Sequence, residues 1–562
     1  MKKYFNNNLI VIIVTIFLMT IMSFLLIKNA KDDSATTDEP IHILSGYSYW
    51  QGIFSINPEH PPLGKQIATL PLKFIKPFLP ADANFKNAIE DYYYDSWQET
   101  RTYAQKWLYS TVGNNPDEIV FSARMAVVIF AIILGFVLFF TASKWYGKAT
   151  GIIAVFIYAF SPLILTHGHL ANTDLWMTLG FFISVFSFAW YLEKPKLIRM
   201  IFAAIFFALA MLFKFSAVIL IPTLILLWVA KYYTSKNRTE YNAKKFIAIA
   251  LSFLAISCFL IWADYGFPKD TASKLSLNNQ YVYTNKILLK LAPELSYIPV
   301  PQYFKGMVMV FSTNLSSRPT YILGNFFQSG VWYYFPVAFL FKEPLSFIIL
   351  LFGSVIFLIY KRKKLEFRDY LVIIPVCVYF LVALFSKLNI GIRHIMPIYP
   401  FLFILVGYFV SELYNQVKKN RILLIAYCLL LTALFSWYLY ANISIYPYYM
   451  TYFNELTVGG IKNGNSILTD SNVDWGQDTK RLSEWLKSEN IQETIKMKYD
   501  WSGSYQPKYY GINFINLEAN DPSQKGWIAI GLSDLQKPEF SWLKNYQPVK
   551  VIGNSVFVYH IE

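Results

Sequence analysis

The sequence predicts an all-α polytopic membrane protein with a small α/β domain at its C-terminus. Three observations lead there: apolar runs near twenty residues long, a scarcity of charge, and a change of texture after residue 441. Of the 562 residues, 55% are hydrophobic and 15% charged, with a mean hydropathy of +0.36. Soluble chains carry about 25% charged residues. The run LIVIIVTIFLMTIMSFLLI, Leu9–Ile27, is long enough to cross a hydrocarbon core of ~30 Å at a rise of ~1.5 Å per residue. Disorder, a coiled coil, a disulfide scaffold and a soluble enzyme are excluded.

Reading mostly apolar runs of this kind along the chain gives eleven spans, near 9–27, 119–141, 150–165, 174–192, 198–213, 215–231, 246–263, 337–360, 370–386, 395–413 and 421–441. The first follows Lys2 and Lys3 as a signal peptide would. It is longer than a typical h-region and no small-residue cleavage site follows, so it reads as an anchor. The three cysteines, Cys258, Cys377 and Cys428, lie inside apolar runs and read as small core residues without a disulfide.

Orientation follows from the basic residues. Twenty lysines and arginines, among them Lys144, Lys148, Lys231, Lys361 to Lys364 and Lys418, fall on one set of connections; the short connections opposite carry Lys214, Lys387 and Arg393. The positive-inside rule then puts the N-terminus in the cytoplasm and the C-terminus outside. Much of the net charge of +15 is therefore a topology signal, and no nucleic-acid partner is expected. The expected organisation is a transmembrane module, 1–441, with outer loops 28–118 and 264–336, followed by an extracytoplasmic domain, 442–562. That tail mixes DTKRLSEWLKSEN (Asp478–Asn490), suited to an amphipathic helix, with β-rich runs such as TIKMKY, WIAIG and VFVYHI. No internal repeat of the transporter kind is present.

All six histidines, His42, His60, His167, His169, His394 and His560, fall on the predicted outer side. Ionisable residues at membrane depth by default mark a pathway or a site, so function is expected to face outward. The first outer loop opens with Asp38-Glu39, where partial desolvation makes a carboxylate a better base; a solvated helix cap is the plain alternative. Then comes Pro58-Glu59-His60-Pro61-Pro62-Leu63-Gly64-Lys65, in which two prolines stiffen the chain, Gly64 permits close approach and His60 and Lys65 offer cations.

Asp38-Glu39 followed by His60-Pro61-Pro62-Leu63-Gly64-Lys65 resembles the protein O-mannosyltransferases and their bacterial relatives, within the GT-C membrane glycosyltransferases. Gly391-Ile-Arg-His-Ile-Met-Pro-Ile-Tyr-Pro400, Tyr452-Phe-Asn-Glu-Leu456 and Asp470-Ser-Asn-Val-Asp-Trp-Gly-Gln-Asp478 are similar to polyprenyl-phosphate-dependent glycosyltransferases. The resemblance implies transfer of a sugar, a mannose-like hexose for instance, from a polyprenyl-phosphate donor to a protein or glycolipid acceptor at the outer face of the plasma membrane, with inversion. It implies Asp38 as general base, Glu39 orienting it or the acceptor, and His60 and Lys65 shaping the donor pocket and meeting its phosphate. The chemistry agrees: a phosphate diester leaves as a stable anion, so one base and several cations suffice, unlike the carboxylate pair of glycoside hydrolysis.

Further donor-phosphate candidates are Arg124 in the second span, for which a structural salt bridge is the alternative, Lys342 beside Glu343, and Arg393-His394. Asp174 is either a helix N-cap or a second acidic residue of the site, on the acceptor side. Lys214 reads as a snorkelling end-of-span lysine. His167 and His169 with His60 and carboxylates leave a divalent metal open as a cofactor. The Asp470–Asp478 string reads as a polar helix-capping loop, with contact of Trp475 to sugar or acceptor as its functional alternative. Aromatic clusters such as Tyr92 to Tyr94 and Trp332-Tyr-Tyr fit interfacial belts. Rival readings are a transporter or flippase of lipid-linked saccharides and a non-catalytic sugar-binding membrane protein.

Overall fold

The computed structural model describes residues 2–54, 56–79, 97–268, 300–315, 318–362, 365–457 and 461–562. The middle of the second outer loop, the Tyr92 to Tyr94 run of the first, and Lys363 and Lys364 lie outside the described residues. Each of the eleven predicted spans is helical. Among the described residues, eight helices are long and apolar enough to cross a membrane. Lys148–Ala159 and Leu197–Phe213 are shorter apolar helices at two further predicted positions. The chain is a multi-pass membrane protein.

Departures from continuous spans occur where the sequence breaks the hydrogen-bond ladder. The predicted span 337–360 is two helices, Tyr334–Lys342 and Leu345–Lys361, bent by 118°. Pro344 at the break is extended and disfavours helix in the residue before it. The run 150–165 stops at Ala159, and Ser161 caps a new short helix, Pro162–His167. At Lys214 the backbone is extended, φ −159° and ψ 140°, which separates Leu197–Phe213 from the turn that follows.

Asp174–Glu193 and Ile392–Val417 form the centre of the bundle, with 83% of each span window buried, against 11% for Arg421–Ile445. Phe181, Phe182 and Phe186 of the first central helix pack on Phe401 of the second, and such aromatic pairs add to simple area burial. The cysteines are a correction: all three are free but exposed, on the outward apolar surface of peripheral helices rather than in the core. Apolar periodicity alone does not tell a lipid-facing stripe from a core-facing one.

After Ile445 the chain keeps contact with the bundle. Tyr449, Phe453, Leu468 and Val473 join the membrane core. Beyond the helix Thr479–Ser488 comes a five-stranded sheet in the order β2–β1–β3–β5–β4, formed by β1 (Ile495–Lys498), β2 (Phe514–Asn516), β3 (Gly526–Gly531), β4 (Lys550–Ile552) and β5 (Val556–Ile561). β1 runs parallel to β2 and β3, and β5 antiparallel to β3 and β4. Alternation divides the strands between two faces. Met497, Ala529 and Val558 pack under the helix residues Leu482 and Leu486, while Ile528, Ile530 and Tyr559 pack against Phe540 and Leu543 on the other face.

The sheet region is clamped to the end of the first helix, Lys2–Asp32. Ser34 N–H donates to Gln477 O (3.0 Å) and Thr37 N–H to Trp475 O (2.9 Å). Asp33 accepts from Arg481 at 2.6 Å and faces His169 at 3.1 Å, while Arg481 also holds Asp478. Burial alone would raise the Asp33 carboxyl, but Arg481 and His169 outweigh it and hold it at about 2. Its contribution is therefore present at neutral pH and is lost as pH falls through that value. Arg481→Ala strands buried carboxylates, a loss of about 3–5 kcal/mol. We expect a lower unfolding temperature in detergent and faster proteolysis between residues 442 and 478; an unchanged unfolding temperature would remove this clamp from the account.

Candidate functional site

Asp38 precedes the helix Glu39–Tyr49, whose second residue is Pro40. Its side chain makes no capping hydrogen bond, so the carboxylate is left to face a cavity of about 320 Å³. Glu39, one residue on, turns into the bundle and is fully buried. It accepts from Arg124 Nη2 (2.6 Å) and Nε (2.8 Å), from Thr36 N–H (2.8 Å) and from Ala171 N–H (2.9 Å). Burial opposes its charge, yet Arg124 and these donors hold its carboxyl below the usual range. Two neighbouring carboxylates thus have different fates: one opens to the cavity, the other closes a buried ion pair.

The His60–Lys65 string works mainly as a scaffold. The helix Leu63–Ala68 packs so close to the bundle that a Cβ on Gly64 would sit 3.0 Å from the Trp176 indole. Lys65 is buried, which pushes its amine well below the usual lysine range. Its Nζ donates to Tyr49 Oη (2.6 Å), Asn57 O (2.8 Å) and His60 O (2.9 Å). This shapes the 57–60 loop and brings Glu59 and His60 to the cavity wall. Lys342 is similarly committed, donating to Met450 O (2.7 Å) and Asn472 O (2.6 Å). Glu39, Lys65, Arg124 and Lys342 do not line the cavity; Asp38, His60, Arg393 and His394 do.

Asp174 is the first residue of its helix, and Thr173 is the N-cap. Its carboxylate bridges Lys214 Nζ (2.6 Å) and Arg393 Nη1 (3.1 Å). Lys214 is thus a correction to the snorkelling reading: the break at 214 points its amine to Asp174 and the cavity. Arg393 is held on every side. Its guanidinium lies 4.0 Å over the Trp475 ring, its Nε donates to Ser471 Oγ (3.2 Å), and its Nη2 is 3.8 Å from Asp38 Oδ2. Gly391, at φ +143°, turns the chain beside Ser471, whose Oγ would be 2.5 Å from a Cβ there.

The cavity joins this polar end to an apolar wall of Phe215, Ile219, Val310, Phe335, Val382 and Leu388, from four different stretches of the bundle. Burial raises the Asp38 carboxyl; Arg393 and Arg101 pull it back down, and Asp174 raises it. Burial lowers His60 well below its ordinary value and His42 to about 3, so both imidazoles are neutral at pH 7. Their rings lie 5.3 Å apart. Among the described residues, Nδ1 of each and Nε2 of His394 are buried without a partner, leaving three imidazole edges for a polar ligand.

Sequence reasoning missed His42, Glu59, Arg318 and Asp470 as lining residues. Glu59 lay within the motif already singled out; His42 sits four residues after Asp38 on one helix, a spacing that shares a face. For Arg318 the sequence carries no signal. His167 and His169 diverge: His169 faces Asp33, while His167 meets the Trp475 ring edge-on. Among the described residues no three His, Cys, Asp or Glu side chains gather as a metal-holding group.

Residues 106–262 match the family model of the dolichyl-phosphate-mannose-protein mannosyltransferases. No curated protein matches the chain. Among solved structures, the oligosaccharyltransferase of Archaeoglobus fulgidus, crystallised with Zn and sulfate, is similar over 92% of this chain and 68% of its own, at 10% identity and a TM-score of 0.50. ArnT from Cupriavidus metallidurans aligns over 97% of both chains at 11% identity, with TM-scores of 0.46 in the apo state and 0.47 bound to undecaprenyl phosphate. The shared fold is that of the GT-C membrane proteins.

The two adjacent carboxylates give opposite stability expectations. Glu39→Gln leaves Arg124 buried without its counter-charge and lowers stability by about 3–5 kcal/mol. Asp38→Asn removes a burial-disfavoured charge and leaves the unfolding temperature in detergent unchanged or higher. Equal destabilisation by both would show that Asp38, too, is a structural ion-pair partner.

Proposed function

We propose that this chain, a membrane glycosyltransferase of the GT-C type, transfers a sugar from a polyprenyl-phosphate donor to a hydroxyl or amide acceptor on a protein or glycolipid. The observation that carries the reading is the juxtaposition, in one cavity with an apolar wall, of a carboxylate free of capping bonds and the cations Arg393 and Lys214. A lipid-linked donor needs such a place: isoprenoid carbons against the bundle, phosphate at the charged end. The matching family is itself described by a dolichyl-phosphate donor, which supports this class.

In the reaction, Asp38 takes the proton from the acceptor as its oxygen or nitrogen attacks the anomeric carbon. The bond from that carbon to the phosphate oxygen breaks, and its electron pair stays on the departing polyprenyl phosphate. Arg393 and Lys214 hold that anion, and the imidazole edges of His60 and His394 donate to its oxygens or to the sugar. Attack from the side opposite the phosphate inverts the anomeric centre. Asp174 acts through the two cations it spaces. Glu39 and Arg124 fix the turn from which Asp38 projects, and Lys65 fixes the loop that carries His60.

The donor is proposed to carry a mannose-like hexose, and the site to open on the outer side of a plasma membrane. That orientation rests on the basic residues of the loops. Asp38→Asn tests the chemistry. Removal of a general base lowers rate by about 10²–10⁴-fold, so turnover with a polyprenyl-phosphate-linked hexose should fall by that order while binding of the donor persists. Turnover within a few-fold of the unaltered protein would refute the base assignment.

A further inference from the structure

The string Asp470–Asp478 enters the site through Ser471 and Trp475, which hold Arg393. Asp470 itself has no part in that arrangement, yet its geometry is specific. Its backbone is left-handed, φ +62°, a conformation that Asp and Asn tolerate better than most residues and glycine adopts freely. The turn is fixed by the Asp470 carbonyl, which accepts from Val473 and Asp474 N–H at 3.0 Å each, and by its N–H, which donates to Ser533 Oγ at 3.2 Å.

Its carboxyl lines the same cavity as Asp38 and Arg393. One oxygen, Oδ1, accepts from Ser471 N–H at 2.5 Å. Oδ2 has no hydrogen bond or ion pair among the described residues. Burial raises this carboxyl to about 6, and the charges of Arg393, Asp38 and Arg318 act on it, so it stands close to both the cation and the base. Trp501 lines the same wall, and its side chain packs against the cluster that holds Trp475. Arg101 Nη2 donates to the Trp501 carbonyl at 3.1 Å and Thr37 Oγ1 also donates to it, which ties the backbone of Trp501 to the turn that carries Asp38.

A carboxylate oxygen and an indole face together are the groups that suit a sugar ring: the acid accepts a hydroxyl, and the indole covers the C–H face. We propose that Asp470 and Trp501 seat the sugar of the donor, Asp470 Oδ2 accepting from a ring hydroxyl and Trp501 packing on the apolar face, so that the segment after the last span reads the transferred unit. The transferred sugar alone has to lie between the phosphate held by Arg393 and the acceptor deprotonated by Asp38, and Asp470 borders both. This rests on the proposed transferase reading and specifies which side chains choose the hexose.

The experiment measures binding to the full chain in nanodiscs of bare polyprenyl phosphate and of polyprenyl phosphates bearing mannose, glucose, galactose or N-acetylglucosamine. Asp470→Asn and Asp470→Gly both suit the left-handed backbone and keep the fold, which an unfolding temperature checks; Trp501→Ala removes the indole. In the unaltered protein, the preferred sugar should tighten binding at least about tenfold over the bare lipid, the order of one charge-assisted hydrogen bond. The Asp470 variants should bind bare lipid normally and lose most of that gain. Retention of the gain in both, or a defect confined to acceptor use, would overturn the proposal, as would the absence of gain for every sugar. Failure to bind even bare polyprenyl phosphate would instead strike the transferase reading, and this inference with it.

Discussion

The site depends on keeping a guanidinium charged and stationary at the end of an apolar bundle. Arg393 heads one of the two central helices, where an unpaired charge is costly. Asp174, at the start of the other central helix, neutralises it at 3.1 Å, and Trp475 covers its face at 4.0 Å. Because Asp174 also binds Lys214, one carboxylate is shared between two cations, and Arg393 also reaches Asp38 at 3.8 Å. The pair of cations lies beside Asp38 because the chain after the first helix is stitched to residues 475–477.

The remaining buried charges are spent on shape. Glu39 with Arg124, Lys65 with the carbonyls of residues 57 and 60, and Lys342 with those of residues 450 and 472 each tie distant stretches of chain to one another. Leaving one such group unpartnered is more damaging than its net contribution suggests, which makes these contacts good at fixing position and poor at binding a ligand. The division between cavity-facing and scaffold charges follows from whether their polar atoms are already filled.

Much of this was legible in the sequence. Eleven apolar runs located the helices because hydrocarbon thickness sets a minimum length that few soluble segments reach. Asp38, His60 and Arg393-His394 stood out as polar groups where lipid would reject them, and the structure gathers them in one cavity. The sequence could not separate Glu39 from Asp38, since one step along a helix decides between cavity and core. It also hid Lys214, whose partner Asp174 lies forty residues away, and the 118° bend at Glu343–Pro344, where a continuous apolar run masks a proline break. Asp470 looked like capping polarity because only the left-handed turn, fixed by Ser533 just after the strand Gly526–Gly531, turns its carboxyl to the cavity.

The most direct measurement is the pH dependence of kcat/KM for sugar transfer in the unaltered protein and in Arg101→Gln. Arg101 does not line the cavity, yet its charge lowers the Asp38 carboxyl that burial raises. A base must be ionised, so activity should fall as pH drops through the Asp38 ionisation, with the acid limb above the ordinary aspartate value of about 4. Loss of Arg101 should move that limb to higher pH. A limb that stays in place or moves to lower pH would contradict Asp38 as the group that takes the proton.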